Sequence, residues 1–119
     1  MRKLEVINQV RGKRITSLAV EDGGVYIGFD GMRLRLEDTG QQCCEHRYMH
    51  TDDEIEQFVG SVFTDVVMKD VSYEEDEAYG DVTEIQFMEI VTDKGSLVVC
   101  AYNEHNGYYS GFYIEAFLE

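Results

Sequence analysis

Residues 25–36 read VYIGFDGMRLRL, in which two runs of strand-forming residues flank the dipeptide Asp30-Gly31. This dipeptide is a strong hairpin signal, because both central positions of the tight turn need a positive φ angle that Asp and Gly tolerate. In the second run, residues 32–36, apolar and basic residues alternate, as in a strand with one buried face and one solvated face. The stretch therefore predicts an antiparallel hairpin.

Further strands are predicted on both sides of this hairpin. Residues 14–20 are rich in strand-forming residues and are followed by a turn at 21–24, so they complete a first antiparallel meander. Four runs in the second half also read as strands: 62–73, 82–92, 96–103 and 108–117. We expect the last three to form a second meander, with Asn106-Gly107 as the turn of its final hairpin.

One helix is predicted, over residues 53–59. Thr51 can cap its start, and the acids at 52–54 suit the positive end of the helix dipole. The apolar residues Ile55, Phe58 and Val59 give one stripe, and Gly60 can end the helix. Residues 4–10 fit either a helical turn or a strand. The predicted fold class is α+β, mainly antiparallel β-sheet in two meanders with one short helix, in a single domain, 1–119.

The charge of the chain is unevenly distributed. The net charge is −14: residues 1–50 carry eight bases and seven acids, whereas residues 51–119 carry two bases and seventeen acids. A negative field of this size repels nucleic acid and anionic lipid, so direct binding to either is not expected. The acidic half can serve solubility alone, or it can imitate DNA or attract a basic partner protein.

The composition favours a cytoplasmic protein. The chain has no apolar run long enough for a membrane span, and its start, MRKLE, lacks the apolar stretch of a signal peptide. Three cysteines, two of them adjacent, are a poor disulfide framework and fit a reducing compartment. Proline, the usual guard of exposed strand edges, is absent from the sequence. We therefore expect the edges to be covered by the helix or by a second subunit, as in a homo-oligomer.

Unusual chemistry is concentrated in two segments, 43–48 (CCEHRY) and 103–109 (NEHNGYY). Strand alternation places Glu45 and Arg47 on one face of the first segment and Tyr48 on the other. We expect the two segments to meet, because partly buried charges at 45 and 47 need polar partners, which residues 103–106 can supply. The candidate ligand-binding residues are Glu45, Arg47, Tyr48, Asn103, Glu104, His105, Asn106, Tyr108 and Tyr109.

Two interpretations of these residues stay open at the level of sequence. Glu45 and Arg47 can form an internal ion pair that fixes the strand register, or Arg47 can bind an anionic ligand that Glu45 orients. Tyr108 and Tyr109 can divide between core and surface, or they can form an aromatic wall on which a base stacks.

Metal binding and catalysis are not predicted. Cys43 and Cys44 are adjacent, so on a strand they point to opposite faces and cannot both bind one tetrahedral ion without a bend. A hydrolase site could combine Cys44 with His105 and Glu104, but no nucleophile motif surrounds the cysteine. We therefore expect neither a cofactor nor an enzymatic activity.

The pattern resembles a family of small proteins that is common in phage and prophage genomes and has no assigned function. The shared features are Cys-Cys-Glu-x-x-Tyr at 43–48, an acidic short helix that ends at Gly60, and Asn-Gly-Tyr-Tyr at 106–109. The resemblance covers roughly residues 12–117. It implies a phage-encoded protein that acts in the cytoplasm of a bacterial host and, by analogy with phage proteins of this size, counters host defence.

Three functions are compatible with this pattern. The first is sequestration of a small nucleotide-type ligand, such as a nucleotide second messenger, by the segments 43–48 and 103–109. The second is inhibition of a basic host defence protein by an acidic or DNA-mimicking surface. The third is a structural or interaction role without a ligand. The motif pair favours the first function and the charge favours the second; because the resemblance rests on the motifs, ligand binding is the leading expectation.

Overall fold

The computed structural model describes residues 2–41, 45–76, 78, 80–107 and 111–119. Within these residues the strands form two four-stranded antiparallel sheets, with the orders β1-β2-β3-β8 and β4-β7-β6-β5. The elements are α1 (Arg2–Val10), β1 (Ser17–Glu21), β2 (Gly24–Phe29), β3 (Met32–Asp38), β4 (Glu45–His50), a 3₁₀ turn (Ile55–Phe58), β5 (Phe63–Asp76), β6 (Asp81–Thr92), β7 (Gly95–His105) and β8 (Ile114–Leu118). The predicted fold class, α+β with mainly antiparallel sheet, is confirmed.

The first meander forms as predicted. Strands β2 and β3 pair so that Phe29 lies opposite Met32, directly on either side of Asp30-Gly31. Gly31 has a φ angle of 79°, the left-handed conformation that this tight turn requires. Strand β1 pairs with β2 through the turn at 22–23. The predicted hairpin and the strand before it are therefore confirmed.

The prediction that the last strand belongs to the second meander is wrong. Strand β8 pairs with β3, where Ala116 lies opposite Leu36, and not with β7. Strand β7 lies between β4 and β6, so both of its edges are already paired. The chain therefore leaves the second sheet after His105 and crosses to the free edge of the first, and the turn at Asn106-Gly107 does not join two paired strands.

The prediction of an α-helix at 53–59 is also wrong. The segment forms only a single 3₁₀ turn, Ile55–Phe58, and no side chain caps its start at Glu54. Thr51 Oγ1 donates to the carbonyl oxygen of Val98, and the amide of Val98 donates to Asp53 Oδ2. The α-helix of the described chain is α1, which includes the residues 4–10 that the sequence left undecided between helix and strand.

The core lies between the two sheets. Most of its buried residues come from β2 and β3 of the first sheet and from β6 and β7 of the second, and α1 and the 3₁₀ turn add Ile7, Val10 and Phe58. None of the helices in the described part of the chain has the length and apolarity needed to cross a lipid bilayer.

Strand β4 lies at one edge of the second sheet, and its outer edge is covered by a side chain and a turn. The side-chain amide of Gln41 makes the hydrogen bonds that a neighbouring strand would make. Its Oε1 accepts from the amide of Arg47 at 2.9 Å, and its Nε2 donates to the carbonyl oxygen of Glu45. The amide of Met49 donates to the carbonyl oxygen of Asp22, in the turn between β1 and β2. Cover at this edge therefore comes from the same subunit, by contacts that strand patterns do not reveal.

Candidate functional site

The two chemically dense segments meet, as predicted. Strands β4 and β7 pair along their whole shared length, with Glu45 opposite His105 and Arg47 opposite Asn103. The predicted alternation on β4 is also present, since Glu45, Arg47 and Met49 face inward whereas His46 and His50 are exposed. Pairing brings a six-residue polar cluster together at one end of the core: Asp38, Glu45, Arg47, Glu84, Asn103 and His105.

Arg47 is the centre of this polar cluster. Its Nε and Nη2 donate to the two carboxylate oxygens of Glu45 at 2.8 and 3.1 Å, while Nη1 donates to Asp38 Oδ2 at 2.8 Å and to the carbonyl oxygen of Gly111 at 2.9 Å. The three charged side chains are between 0% and 6% exposed. Burial lowers the pKa of Arg47, but the hydrogen bonds to Glu45 and Asp38 and their charges raise the pKa by a larger amount. The pKa of Arg47 therefore lies above the usual value for arginine. The guanidinium of Arg47 therefore forms buried internal ion pairs with Glu45 and Asp38.

His105 forms the second part of the polar cluster. Its Nε2 lies 2.8 Å from Glu84 Oε1, and its Nδ1 accepts a hydrogen bond from the amide of Gly107 at 3.0 Å. A ring nitrogen that accepts from an amide carries no proton, so Nε2 holds the proton and donates to Glu84. Gly111 also donates its amide to Glu84 Oε1, at 3.2 Å. Both nitrogens of His105 are therefore engaged in structural hydrogen bonds.

Asn103 completes the polar cluster and leaves one polar atom without a bond. Its Nδ2 donates to the carbonyl oxygen of Gly111 at 3.3 Å, whereas Oδ1 is buried and has no hydrogen-bond partner in the described part of the chain. Buried acceptors of this kind are usually satisfied by ordered water. Gly111 thus contacts Arg47, Glu84 and Asn103 through its backbone, which explains why the crossing to β8 is closely tied to the cluster.

Glu104 and Tyr48 lie on the opposite, outer face of the sheet. The Tyr48 hydroxyl donates to Glu104 Oε2 at 2.7 Å, and His46 Nδ1 lies 3.7 Å from Glu104 Oε1. Glu104 and His105 therefore point to opposite faces and cannot form the base-and-orienter pair that the hydrolase interpretation needs. Burial, followed by the hydrogen bond to Glu104, raises the pKa of Tyr48 to about 12.

The Tyr48 proton makes a testable contribution to stability at alkaline pH. An unfolded tyrosine ionises near pH 10, whereas folded Tyr48 keeps its proton until about pH 12. Between these values the folded state holds more protons than the unfolded state, so the free energy of unfolding decreases as pH rises. We expect Tyr48→Phe to show a shallower decrease than wild type in urea unfolding between about pH 9.5 and 11.5. Equal slopes would contradict the raised pKa.

The outer face around Tyr48 carries an apolar strip. The rings of Tyr48 and Tyr102 are stacked with centroids 4.6 Å apart, and the register places Ile85 opposite Tyr102 and Phe87 opposite Cys100. We call Tyr48, Ile85, Phe87, Cys100 and Tyr102 the outer strip; all five are half-buried. Burial, then the nearby charge of Asp52, raises the pKa of the Cys100 thiol, which disfavours the nucleophilic thiolate form.

Carboxylates lie at both ends of the outer strip. Glu104 and Asp81 are exposed at one end, beyond Tyr48 and Tyr102. Asp52 and Asp53 lie near Cys100 at the other end, where both carboxylates raise its pKa. We call these four residues the acidic rim.

An open cavity of about 500 Å³ adjoins the end of the sheet that holds Glu104. Its described lining is Glu45, His46, Asp81, Val82, Thr83, Glu104, His105 and Asn106. Three of these residues are acids, and none of them is a lysine or arginine. The cavity therefore favours a cationic group over a phosphate.

Several predicted residues lie outside the described part of the chain. These are the pair Tyr108 and Tyr109, and also Cys43 and Cys44. Among the described residues, no group of three or more His, Cys, Asp or Glu side chains is placed to hold a metal ion.

Sequence patterns did not identify three members of the site. Asp38, Glu84 and Gly111 reach the polar cluster from β3, β6 and the segment before β8, which lie far apart in the chain. The alternation along residues 98–104 does place Cys100, Tyr102 and Glu104 on one face, but the register with β4 and β6 is needed to assemble the outer strip.

Comparison with known proteins yields one family. Residues 8–114 match DUF7448, which is described as a domain of unknown function. The polar cluster and the outer strip both lie within the matched residues. No curated protein and no solved structure matches the chain.

Proposed function

This chain belongs to the DUF7448 family, and we propose that it is a non-catalytic binding protein whose outer strip docks a partner protein with a basic surface. The observation that supports this proposal best is the arrangement of the outer face, where the stacked tyrosines and the side chains of Ile85, Phe87 and Cys100 lie between two pairs of carboxylates. It corresponds to the second of the functions considered from sequence, inhibition of a basic host protein.

The outer strip has the anatomy of a protein-binding surface. Such surfaces combine a centre rich in aromatic residues with a polar rim, and tyrosines are frequent among the residues that contribute most to affinity. Here Tyr48 is held by its stack on Tyr102 and by its bond to Glu104, so few rotamers remain to be ordered on binding. A preorganised surface loses less side-chain entropy when the partner docks.

The acidic rim specifies the charge of the partner. Glu104 and Asp81 lie at one end of the outer strip, Asp52 and Asp53 lie at the other, and residues 51–119 carry seventeen acids against two bases. A basic surface would be attracted before contact, and an acidic or nucleic-acid surface would be repelled.

A nucleotide ligand is the weaker candidate. The ladder of His46, Tyr48 and Tyr102 could stack a base. However, Arg47, the residue predicted to bind the phosphate of such a ligand, is buried and already binds two carboxylates. The adjacent cavity is also lined by acidic residues. Phosphate binding would require breaking the polar cluster.

The proposal places this binding in the cytoplasm of a bacterial host. The resemblance to phage-encoded proteins makes a defence protein of the host the partner that we expect, and its inhibition the biological outcome. The supporting observations remain the outer strip and the acidic rim.

The test compares two variants with wild type. Tyr48→Ala combined with Tyr102→Ala removes the stacked centre of the outer strip, and Phe117→Ala removes a half-buried aromatic from the other sheet as a matched control. Proteins retained from bacterial lysate are identified, purified and titrated against each form, with circular dichroism to confirm folding. We expect a basic protein whose affinity falls about 100-fold in the double variant, the loss of two tyrosine hot spots, but not in Phe117→Ala.

Two outcomes would contradict the proposal. One is a retained partner that binds the double variant as tightly as wild type. The other is thermal stabilisation of wild type by cyclic nucleotides or ADP-ribose derivatives that the double variant loses, because it would assign the outer strip to a nucleotide.

The acidic rim predicts a salt dependence of association. With the identified partner, the association rate constant should fall about tenfold or more between about 0.05 and 0.5 M NaCl, because salt screens electrostatic steering. Asp52→Asn combined with Asp81→Asn should start from a lower rate and show a weaker dependence in stopped-flow measurements. A wild-type rate that ignores salt would indicate an interface without charge complementarity.

A further inference from the structure

Within the described part of the chain, strand β5 leaves part of its outer edge unpaired. At its start, the amide of Phe63 donates to the carbonyl oxygen of Lys13, and the amide of Gly12 donates to the carbonyl oxygen of Phe63. Farther along, residues 71–76 pair only with β6 within the described part of the chain. An unpaired edge of this length presents a row of backbone donors and acceptors that can template another strand.

The side chains of this edge are apolar and acidic. Val71 is 51% exposed and Tyr73 is 58% exposed, and both precede the acids at 74–76. Natural edges are usually protected by proline, by lysine or by a bulge. Strand β5 has register shifts up to Val71, but residues 71–76 contain neither proline nor lysine and continue in regular register with β6.

The charge of this segment decides between two possible occupants. A second copy paired at the same edge would bring its own Glu74, Glu75 and Asp76 into the same ribbon, and the net charge of −14 on each chain opposes association of two copies. A basic extended segment would instead pair its backbone with residues 71–76 and place its lysines or arginines beside these carboxylates.

We propose that residues 71–76 of β5 receive a basic extended peptide as an additional strand of the second sheet. Backbone hydrogen bonds would supply the affinity, and the exposed Val71 and Tyr73 would contact alternate side chains of the peptide. The unpaired edge adjoins the outer strip, since Ser72 lies opposite Ile85 and Asp76 opposite Asp81. The two sites differ in what they offer, because the edge presents backbone groups whereas the outer strip presents the side chains of the sheet face.

The test uses a synthetic octapeptide that alternates lysine with valine. The same peptide, N-methylated at alternate amides, keeps its charge but cannot complete a ladder. We expect the first peptide to bind and to slow amide hydrogen exchange at residues 71–75. The methylated peptide should bind about tenfold more weakly or worse, because several backbone hydrogen bonds are lost.

Protein variants separate the edge from the rest of the molecule. Glu74→Lys combined with Glu75→Lys should weaken binding of the lysine peptide, whereas Tyr102→Ala, on the outer strip, should leave it unchanged. Equal binding of the methylated peptide, or protection that appears elsewhere than at residues 71–75, would overturn the proposal. So would sedimentation equilibrium that shows a dimer broken by the Glu74→Lys and Glu75→Lys variant, since a second copy would then occupy the edge.

Discussion

Replacing Arg47 with alanine is expected to lower the free energy of unfolding by about 3–5 kcal/mol. The substitution would remove the guanidinium that forms ion pairs with Glu45 and Asp38, whose side chains are 0% and 6% exposed. It would also remove one of the two side-chain donors to the carbonyl oxygen of Gly111, where the chain crosses to β8. Urea unfolding at neutral pH would measure the loss.

A matched control is available on the surface. Arg33 pairs with Glu119 at 2.9 Å, but both side chains are about half exposed. Exposed pairs contribute about 0–1 kcal/mol, so Arg33→Ala should have little effect. A second variant, Arg47→Met with Glu45→Gln and Asp38→Asn, should recover part of the stability because it leaves no buried charge unpaired.

The same measurement decides between the two interpretations of Glu45 and Arg47. If Arg47→Ala were no more destabilising than Arg33→Ala, the ion pair would be open to water in solution, as an anion-binding site requires. A large loss would instead assign Arg47 to the stability of the fold, in agreement with its burial between the two sheets.

The local half of the site could be predicted from the sequence, and the long-range half could not. Alternation along β4 is a property of consecutive residues, so it correctly grouped Glu45 with Arg47 and separated them from Tyr48. Asp38 and Glu84 join them through strand register across the core, which depends on how whole strands pair. No spacing in the sequence specifies that register.

Competition between local and long-range hydrogen bonds explains the two errors in the predicted fold. The segment 53–59 has a helical pattern, but Thr51 and Asp53 instead bind Val98 of β7, so only one 3₁₀ turn remains. The dipeptide Asn106-Gly107 is a good hairpin turn, but β4 and β6 already occupy both sides of β7. In both places a tertiary contact overrides a local preference.

Phe63→Ala is expected to lower the free energy of unfolding by about 3–5 kcal/mol, the range for removing a buried aromatic ring. Phe63 is fully buried at the start of β5, and its ring meets the ring of Phe29 on β2 edge to face, with centroids 5.8 Å apart. Its backbone also exchanges hydrogen bonds with Gly12 and Lys13, just after α1. The residue therefore joins the first sheet, the second sheet and the segment after the helix.

This position makes Phe63 a test of the single-domain prediction for residues 1–119. If the two sheets form one cooperative unit, near- and far-ultraviolet circular dichroism should report one coincident transition in both wild type and Phe63→Ala, with the midpoint shifted in the variant. Tyr73→Ala, at a side chain that is 58% exposed, should shift the midpoint far less. Two separate transitions in Phe63→Ala would show that one sheet unfolds while the other persists. The outer strip would then belong to a second sheet that folds independently of the first, and the bond from Arg47 to Asp38 of β3 would join two separate units.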